Sequence, residues 1–193
     1  DIQIRNLKRH IEYEEVFERT YKEIEKNKDN AVVYIGGDIA HSKTDMSPEL
    51  VDQLSRLFKN LSDICPTIII AGNHDCNLNN LSRLDVLTPI VNNLNHPNLH
   101  YLKDSGVYKC ADVSFVVWDC WTKEEDFILA DDVEGDTKVV LFHGTVDRAE
   151  TDLGFHLPSD VHIDKFKGYD LGLLGDIHLS LIHISEPTRR SVI

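Results

Sequence analysis

The chain has 193 residues, enough for one domain with a sizeable core. Hydrophobic residues make up 41% and charged residues 27%, which excludes a disordered chain, and no apolar run approaches the about 18 residues of a membrane span. The net charge of −13 excludes a protein that grips nucleic acid through a broad basic face, so phosphate chemistry here would need another source of positive charge, such as a metal ion.

In chain order, residues 11–28 have helical spacing, with Val16, Phe17, Tyr21 and Ile24 on one face. Ala31 to Ile35 is a continuous apolar run that ends in Gly36-Gly37-Asp38, the pattern of a buried strand entering a loop. Ser47-Pro48-Glu49 opens a helix, with Ser at the N-cap and Pro in the first turn, and Leu50 to Leu61 keeps helical periodicity. Thr67 to Ala71 is a second buried strand, ending in Gly72-Asn73-His74-Asp75. Leu81 to Leu94 predicts a helix that Pro89 would interrupt. Leu99–Lys103, Val107–Cys110 and Val113–Trp118 predict antiparallel strands. Trp118 and Trp121 read as core or sheet-edge packing, and Glu124 to Asp136 as a solvated acidic surface. Lys138 to Phe142 is a buried strand ending in His143-Gly144, and Asp170 to Leu174 another, ending in Gly175-Asp176-Ile177-His178. Alternating strands and helices followed by a β-rich half predict a layered α/β protein without repeats or low-complexity linkers.

Both ends read as non-native. The single methionine is Met46, so Asp1 is not a translation start, and Asp1-Ile2-Gln3 looks like the punctuation after a further strand. From Leu179 the sequence LSLIHISEPTR resembles the frame translation of a transposase sequencing adapter, matched without a gap over residues 179 to 189. Residues 179–193, His183 included, are therefore set aside as a non-native tail, and residues 1–178 as an incomplete domain.

Four strands thus end in similar punctuation: Gly-Asp-x-x-His at 37–41, Gly-Asn-His-Asp at 72–75, His-Gly at 143–144 and Gly-Asp-x-His at 175–178. Ligands in open α/β sheets gather outside the carboxyl ends of strands, so these side chains should converge. Asp, Asn and His suit Mn²⁺, Fe or Zn²⁺. The four cysteines, Cys65, Cys76, Cys110 and Cys120, form no CxxC pair. They argue against a disulfide scaffold or a structural zinc site and fit a reducing cytoplasm.

On these motifs the chain resembles the calcineurin-like metallophosphoesterases, whose ordered set is D-x-H, G-D, G-N-H-D/E, H-G and G-H-x-H. The resemblance implies a four-layer αββα sandwich over residues 1–178 and a pair of divalent cations. Within the family, Gly37 to Ser42 and Ile4 to His10 are similar to SbcD-type nucleases of cells and phages. By that resemblance Asp38 bridges the two metals, Asp1, Gln3 and His178 complete one, and Asn73, His143 and Asp176 complete the other. His74 is the implied general acid for the leaving oxygen, a role suited to a group titrating near neutrality. His41 either steadies the substrate phosphate or His74, or packs within its loop. Arg5, Lys8 and Arg9 are either phosphate-backbone contacts or a solvated turn.

Two positions depart from the family pattern. Gln3 stands where the D-x-H motif has His, and Asp176 where G-H-x-H has its first His. Replacing two imidazoles with an amide and a carboxylate favours Mn²⁺ or Mg²⁺ over Zn²⁺, with Fe also compatible. The expected function is metal-dependent hydrolysis of DNA phosphodiesters in break repair or recombination. The implied partners are DNA and an SbcC-like SMC-type ATPase, with no membrane, a homodimer allowed, and a location in the cytoplasm of a cell or infected host. The alternatives are a phosphoesterase for phosphomonoesters or small phosphodiesters, and an inactive binding scaffold of the same fold.

Overall fold

The computed structural model describes residues 2–80, 82–147, 159 and 161–176. Its helices are α1 (His10–Glu25), α2 (Pro48–Ile64) and α3 (Leu87–Leu94). Its strands are β1 (Val33–Gly36), β2 (Thr67–Ile70), β3 (Leu99–Tyr101), β4 (Gly106–Cys110), β5 (Val113–Trp118), β6 (Thr137–His143) and β7 (Leu171–Gly175). They form two sheets, β1-β2-β3 and β4-β5-β6-β7. The first is wholly parallel, and in the second only the β4–β5 pair is antiparallel.

The strict alternation of side chains along a strand builds three cores. Ile69 of β2 points to a core under the helices with Leu50, Leu54 and Phe58 of α2, while its neighbours Ile68 and Ile70 point between the sheets. There they meet Val117 of β5 and Val139 and Leu141 of β6. The opposite faces of those strands send Val116, Trp118, Val140 and Phe142 into a third core. Strands buried on both faces must be apolar throughout, which is why β2 and β6 read as unbroken runs.

α2 begins as local chemistry requires. The Ser47 hydroxyl accepts the Leu50 N–H at 3.2 Å, and Pro48 sits in the first turn, where its missing N–H costs nothing. On α1 the inward stripe is Tyr13, Phe17, Tyr21 and Ile24, whereas Val16 lies off that line and is 52% exposed. The helix expected from Leu81 begins at Leu87 instead. The Asp85 carboxylate accepts the N–H groups of Leu87 and Thr88 at 2.9 and 2.7 Å, so residues 82–86 are spent on a capped turn. Pro89 therefore falls in the first turn of α3 and does not break it.

Two further expectations are corrected. The Leu99–Tyr101 strand is not antiparallel to β4; it pairs parallel with β2, Thr67 opposite Leu99, and the chain then crosses to the second sheet. Only β4 and β5 form the expected antiparallel pair, across a two-residue turn. The acidic stretch 124–136 is not merely solvated surface. Its 3₁₀ turns Glu124–Asp126 and Ala130–Asp132 bring Phe127, Ala130 and Val133 into burial against the outer face of the second sheet. Among the described residues such turns, with Ile163–Phe166, form the fourth layer of the αββα sandwich.

Trp118 anchors that layer. Its ring stacks on Phe127 at 4.3 Å, meets Phe166 edge-on at 4.8 Å, and donates from Nε1 to the Ile128 carbonyl. Trp118→Ala should cost ~3–5 kcal/mol, the usual cost of truncating a buried aromatic. Urea denaturation checks this, and an unchanged midpoint would show that the 124–136 segment is not held by this ring.

Candidate metal centre

The carboxyl ends of β1 and β2 in one sheet meet those of β6 and β7 in the other. His143, the last residue of β6, sets its Nδ1 2.5 Å from the Gly36 carbonyl at the end of β1. The Gly144 N–H donates to the Gly175 carbonyl at 3.2 Å, joining the ends of β6 and β7. The approach leaves no room for side chains: a Cβ on Gly175 would lie 2.1 Å from the Gly36 carbonyl oxygen, and one on Gly72 would lie 2.2 Å from Asp38 Oδ1.

Asp38 occupies the meeting point and is fully buried. It follows β1 with φ 49°, in the left-handed region, and Gln3 and Asp176 share that sign with φ of 49° and 94°. Three predicted site residues in strained backbone are what a functional site looks like. Asp38 Oδ1 accepts the His74 N–H at 2.9 Å and lies 3.3 Å from His143 Nε2. Oδ2 accepts from Gln3 Nε2 at 3.4 Å and lies 3.9 Å from His74 Nε2. Burial by itself would raise the carboxyl pKa, but the His143 bond and the His74 N–H hold it below the ordinary carboxylate value.

The ring of His143 is oriented by its partners. A carbonyl only accepts, so Nδ1 carries a proton toward Gly36, and Nε2 faces Asp38 and Asp176, the latter at 3.6 Å. Burial would push this imidazole down, yet the Asp38 and Gly36 bonds and the charge of Asp176 raise it above an ordinary histidine. Asp176 in turn accepts the Thr145 hydroxyl on Oδ2 at 2.9 Å, which leaves Oδ1 toward His143. One ligand atom from each of Asp38, His143 and Asp176 lies within 4.8 Å of the others. Two carboxylates around one imidazole favour positive charge between them, which a divalent cation held by these residues would supply.

Asn73 strengthens the fit. Its Oδ1 is buried with no hydrogen-bond partner among the described residues. A buried oxygen left so costs ~1–3 kcal/mol unless something else binds it. Asn73 lines the same cleft of about 490 Å³ as His143 and Asp176, together with Asp119, Cys120 and Lys123. Three oxygen ligands and one nitrogen suit a hard to borderline divalent cation.

His74 sits at the rim, half-exposed. Its Nδ1 lies 2.7 Å from the His41 carbonyl, so the proton there is fixed and Nε2 is left facing the centre. The His41 ring stacks beside it with centroids 5.9 Å apart, and His41 Nδ1 lies 3.3 Å from Gln3 Oε1. The Gln3 amide thus turns its NH₂ to Asp38 and its oxygen to His41; offering that oxygen to a cation requires the amide to turn over. Arg5, Lys8 and Arg9 are not drawn into the centre. They stand exposed on the turn before α1, and Arg9 pairs with Glu12 at 3.7 Å. That turn follows Ile4, whose carbonyl accepts the His41 N–H at 3.0 Å, and Asn6 donates to Asp45 and accepts the Ser47 N–H. Asp1, His178 and the 179–193 tail lie outside the described residues.

Sequence reasoning did not single out Asp75, Thr145 or Lys43. The buried Asp75 carboxylate accepts the N–H groups of Gly72 and Ala40 at 3.0 Å and of Ile39 at 3.1 Å. It ties the loop carrying Asn73 and His74 to the loop carrying Asp38. Burial pushes its pKa up to about 6, against the pull of those three donors. The only trace in the sequence is its place as the last residue of Gly-Asn-His-Asp. Lys43 Nζ donates to the Asn73 carbonyl at 3.2 Å.

The family model of calcineurin-like phosphoesterases matches residues 1–180, and the chain belongs to that family. Its members hydrolyse phosphoesters with divalent metals, the chemistry this cluster of side chains fits. A protein of Acanthamoeba polyphaga mimivirus, named as uncharacterized protein R555, is 43% identical over 192 residues. The match takes in 92% of this chain but 14% of the relative, so the chain spans a small part of that protein's length. No helix among the described residues is long and apolar enough to cross a membrane.

Asp75→Ala would strand three buried N–H groups, at ~1–3 kcal/mol each. The variant should lose ~3 kcal/mol or more of stability in urea, and Asp75→Asn, which keeps one acceptor oxygen, should lose less. Equal stability of Asp75→Ala and the parent would show that the two loops are held by something else.

Proposed function

We propose that this chain is the phosphodiester-cleaving unit of a DNA nuclease of SbcD type, acting with two divalent cations, Mn²⁺ foremost, and alongside an SMC-type ATPase. The observation that carries the reading is the buried Asp38 carboxylate at the meeting of four strand ends, with His74, His143 and Asp176 around it. In this reading Asp38 would serve both cations, Asn73, His143 and Asp176 would hold one, and Asp1, Gln3 and His178 the other. Bound there, the cations supply Lewis-acid charge to the phosphoryl group and lower the pKa of water. His74 holds its Nδ1 proton against the His41 carbonyl and presents Nε2 to the leaving oxygen; as the imidazolium it would give its Nε2 proton there and be left neutral. His41 is a positioning residue for His74 and Gln3.

The segment Gly-Asp-Ile-Ala-His-Ser-Lys at 37–43 supports DNA as the substrate, as do the exposed cations Arg5, Lys8 and Arg9 on the turn before α1. The acidic lining of the cleft, Asp119, Glu124 and Glu125, favours a second reading, hydrolysis of a small phosphodiester or phosphomonoester. Cleavage of DNA in Mn²⁺ that stops in EDTA is the expected result. Turnover of bis-p-nitrophenyl phosphate without any DNA cleavage would select the second reading, and undiminished cleavage in EDTA would overturn both.

The roles can be separated. His74→Ala should lower turnover ~10²–10⁴-fold, the usual worth of a general acid, and keep its metal. Asp38→Ala should lose metal, because its carboxylate serves both positions. Metal content by mass spectrometry decides between them, and an emptied His74→Ala protein would contradict the assignment. Gln3→His should tighten Mn²⁺ and shift preference toward Zn²⁺, since imidazole is the softer and stronger ligand. Gln3→Ala should weaken Mn²⁺ modestly. Identical calorimetric affinities for all three would remove Gln3 from the ligand set.

A further inference from the structure

Two thiols meet beneath this centre. Cys76 stands three residues after Asn73, and Cys120 two residues after the end of β5. Their S–H groups donate to consecutive carbonyls of the loop leaving β2: Cys120 to Ala71 and Cys76 to Gly72, each at 3.1 Å. Donors to adjacent carbonyls, the two thiols lie side by side and perturb each other. Contact with Cys120 holds the Cys76 thiol below its ordinary value, and the same contact pushes that of Cys120 up. Cys76 is buried, whereas Cys120 is partly exposed and lines the cleft beside Asn73 and His143. The other two cysteines differ in setting: Cys65 is buried at the end of α2, and Cys110 is exposed at the end of β4.

We propose that Cys76 and Cys120 form a disulfide when a small-molecule disulfide of the glutathione type enters the cleft, and that closing it loosens the metal held by Asn73. The second half rests on the metal-centre reading above; the first half does not. The chemistry is two exchanges. Cys120, the sulfur at the cleft, passes its proton to Cys76, the thiol of the pair that ionises first, and attacks one sulfur of the incoming disulfide, releasing one thiolate, which takes up the proton. Cys76 then loses its proton and attacks the Cys120 sulfur, releasing the second thiol. The protein loses two S–H bonds and gains one S–S bond, and one small disulfide is reduced to two thiols.

A disulfide has no S–H, so closing the pair takes the donors away from the Ala71 and Gly72 carbonyls. Those bonds are lost in a tight loop, where Gly72 is packed against Asp38 and Asp75. Asn73 and His74 ride on that loop. In a compartment buffered by glutathione the pair stays reduced until the poise becomes oxidising, which suits a reversible modification rather than a structural crosslink.

The test uses the full 193-residue chain treated with oxidised glutathione. Peptide mapping without reduction should find Cys76 joined to Cys120, with the link gone after dithiothreitol and Cys65 still free. The Mn²⁺ Kd by calorimetry should rise at least ~10-fold on oxidation, the scale of a disturbed neighbour to a metal ligand. Cys120→Ser and Cys76→Ala should each keep the reduced-state affinity under the same treatment. Glutathione found on Cys110 without a Cys76–Cys120 peptide would overturn the pair. A linked peptide with unchanged Mn²⁺ affinity would overturn its effect on the metal. If the reduced protein binds no Mn²⁺, the metal-centre reading fails with the second half, while the peptide map still decides the first.

Discussion

The Asp75 carboxylate, buried and bound by three backbone N–H groups, is the interaction on which the site depends. It joins two loops that are 36 residues apart in sequence and come from neighbouring parallel strands. That clamp acts with the His74 N–H bond to Asp38 and the Lys43 bond to the Asn73 carbonyl to hold Asn73 and His74 against Asp38. The clamp has an electrostatic cost. Burial and the nearby Asp38 charge raise its pKa to about 6, so the folded state holds a proton there more readily than the unfolded chain. The cost is fully present above about pH 6 and is relieved as the pH falls toward the ordinary carboxylate value.

That clamp places one acid close to another in a chain already carrying −13. Among the described residues the fold answers with hydrogen-bond donors. Asp75 has backbone N–H groups, Asp38 has the His74 N–H and the His143 ring, and Asp176 has the Thr145 hydroxyl. The ion pairs on the outer surface, such as Lys26–Glu23 and Lys59–Asp63, lie in water and contribute little to stability. Among the described residues His143 compensates charge in the centre, and a bound cation would add to it.

The sheets explain how such a centre can be rigid. β2, β5 and β6 are buried on both faces, and the apolar layer between the sheets fixes the ends of β1 and β6 relative to each other. The loops that leave those ends are short, and Gly72 and Gly175 let backbones approach to distances no other residue permits. Packing sets the position of the strand ends, and the polar clamp sets the direction of the side chains that follow them.

The order of residues alone encodes the strands β1, β2, β6 and β7 and the polar residues after them. A strand covered on both faces must be an apolar run, and its sharp exit calls for glycine, so both signals are local. The cap of α2 was legible for the same reason, since Ser47 and Leu50 are three residues apart. Three-dimensional packing was needed for the parallel pairing of Leu99–Tyr101 with β2, the burial of Phe127 and Val133 by an acidic segment, the tautomer of His143 and the meeting of Cys76 with Cys120. Each depends on a partner distant along the chain: the Gly36 carbonyl lies 107 positions from His143. No periodicity or spacing within a segment can encode such a partner; it is chosen by how two sheets pack.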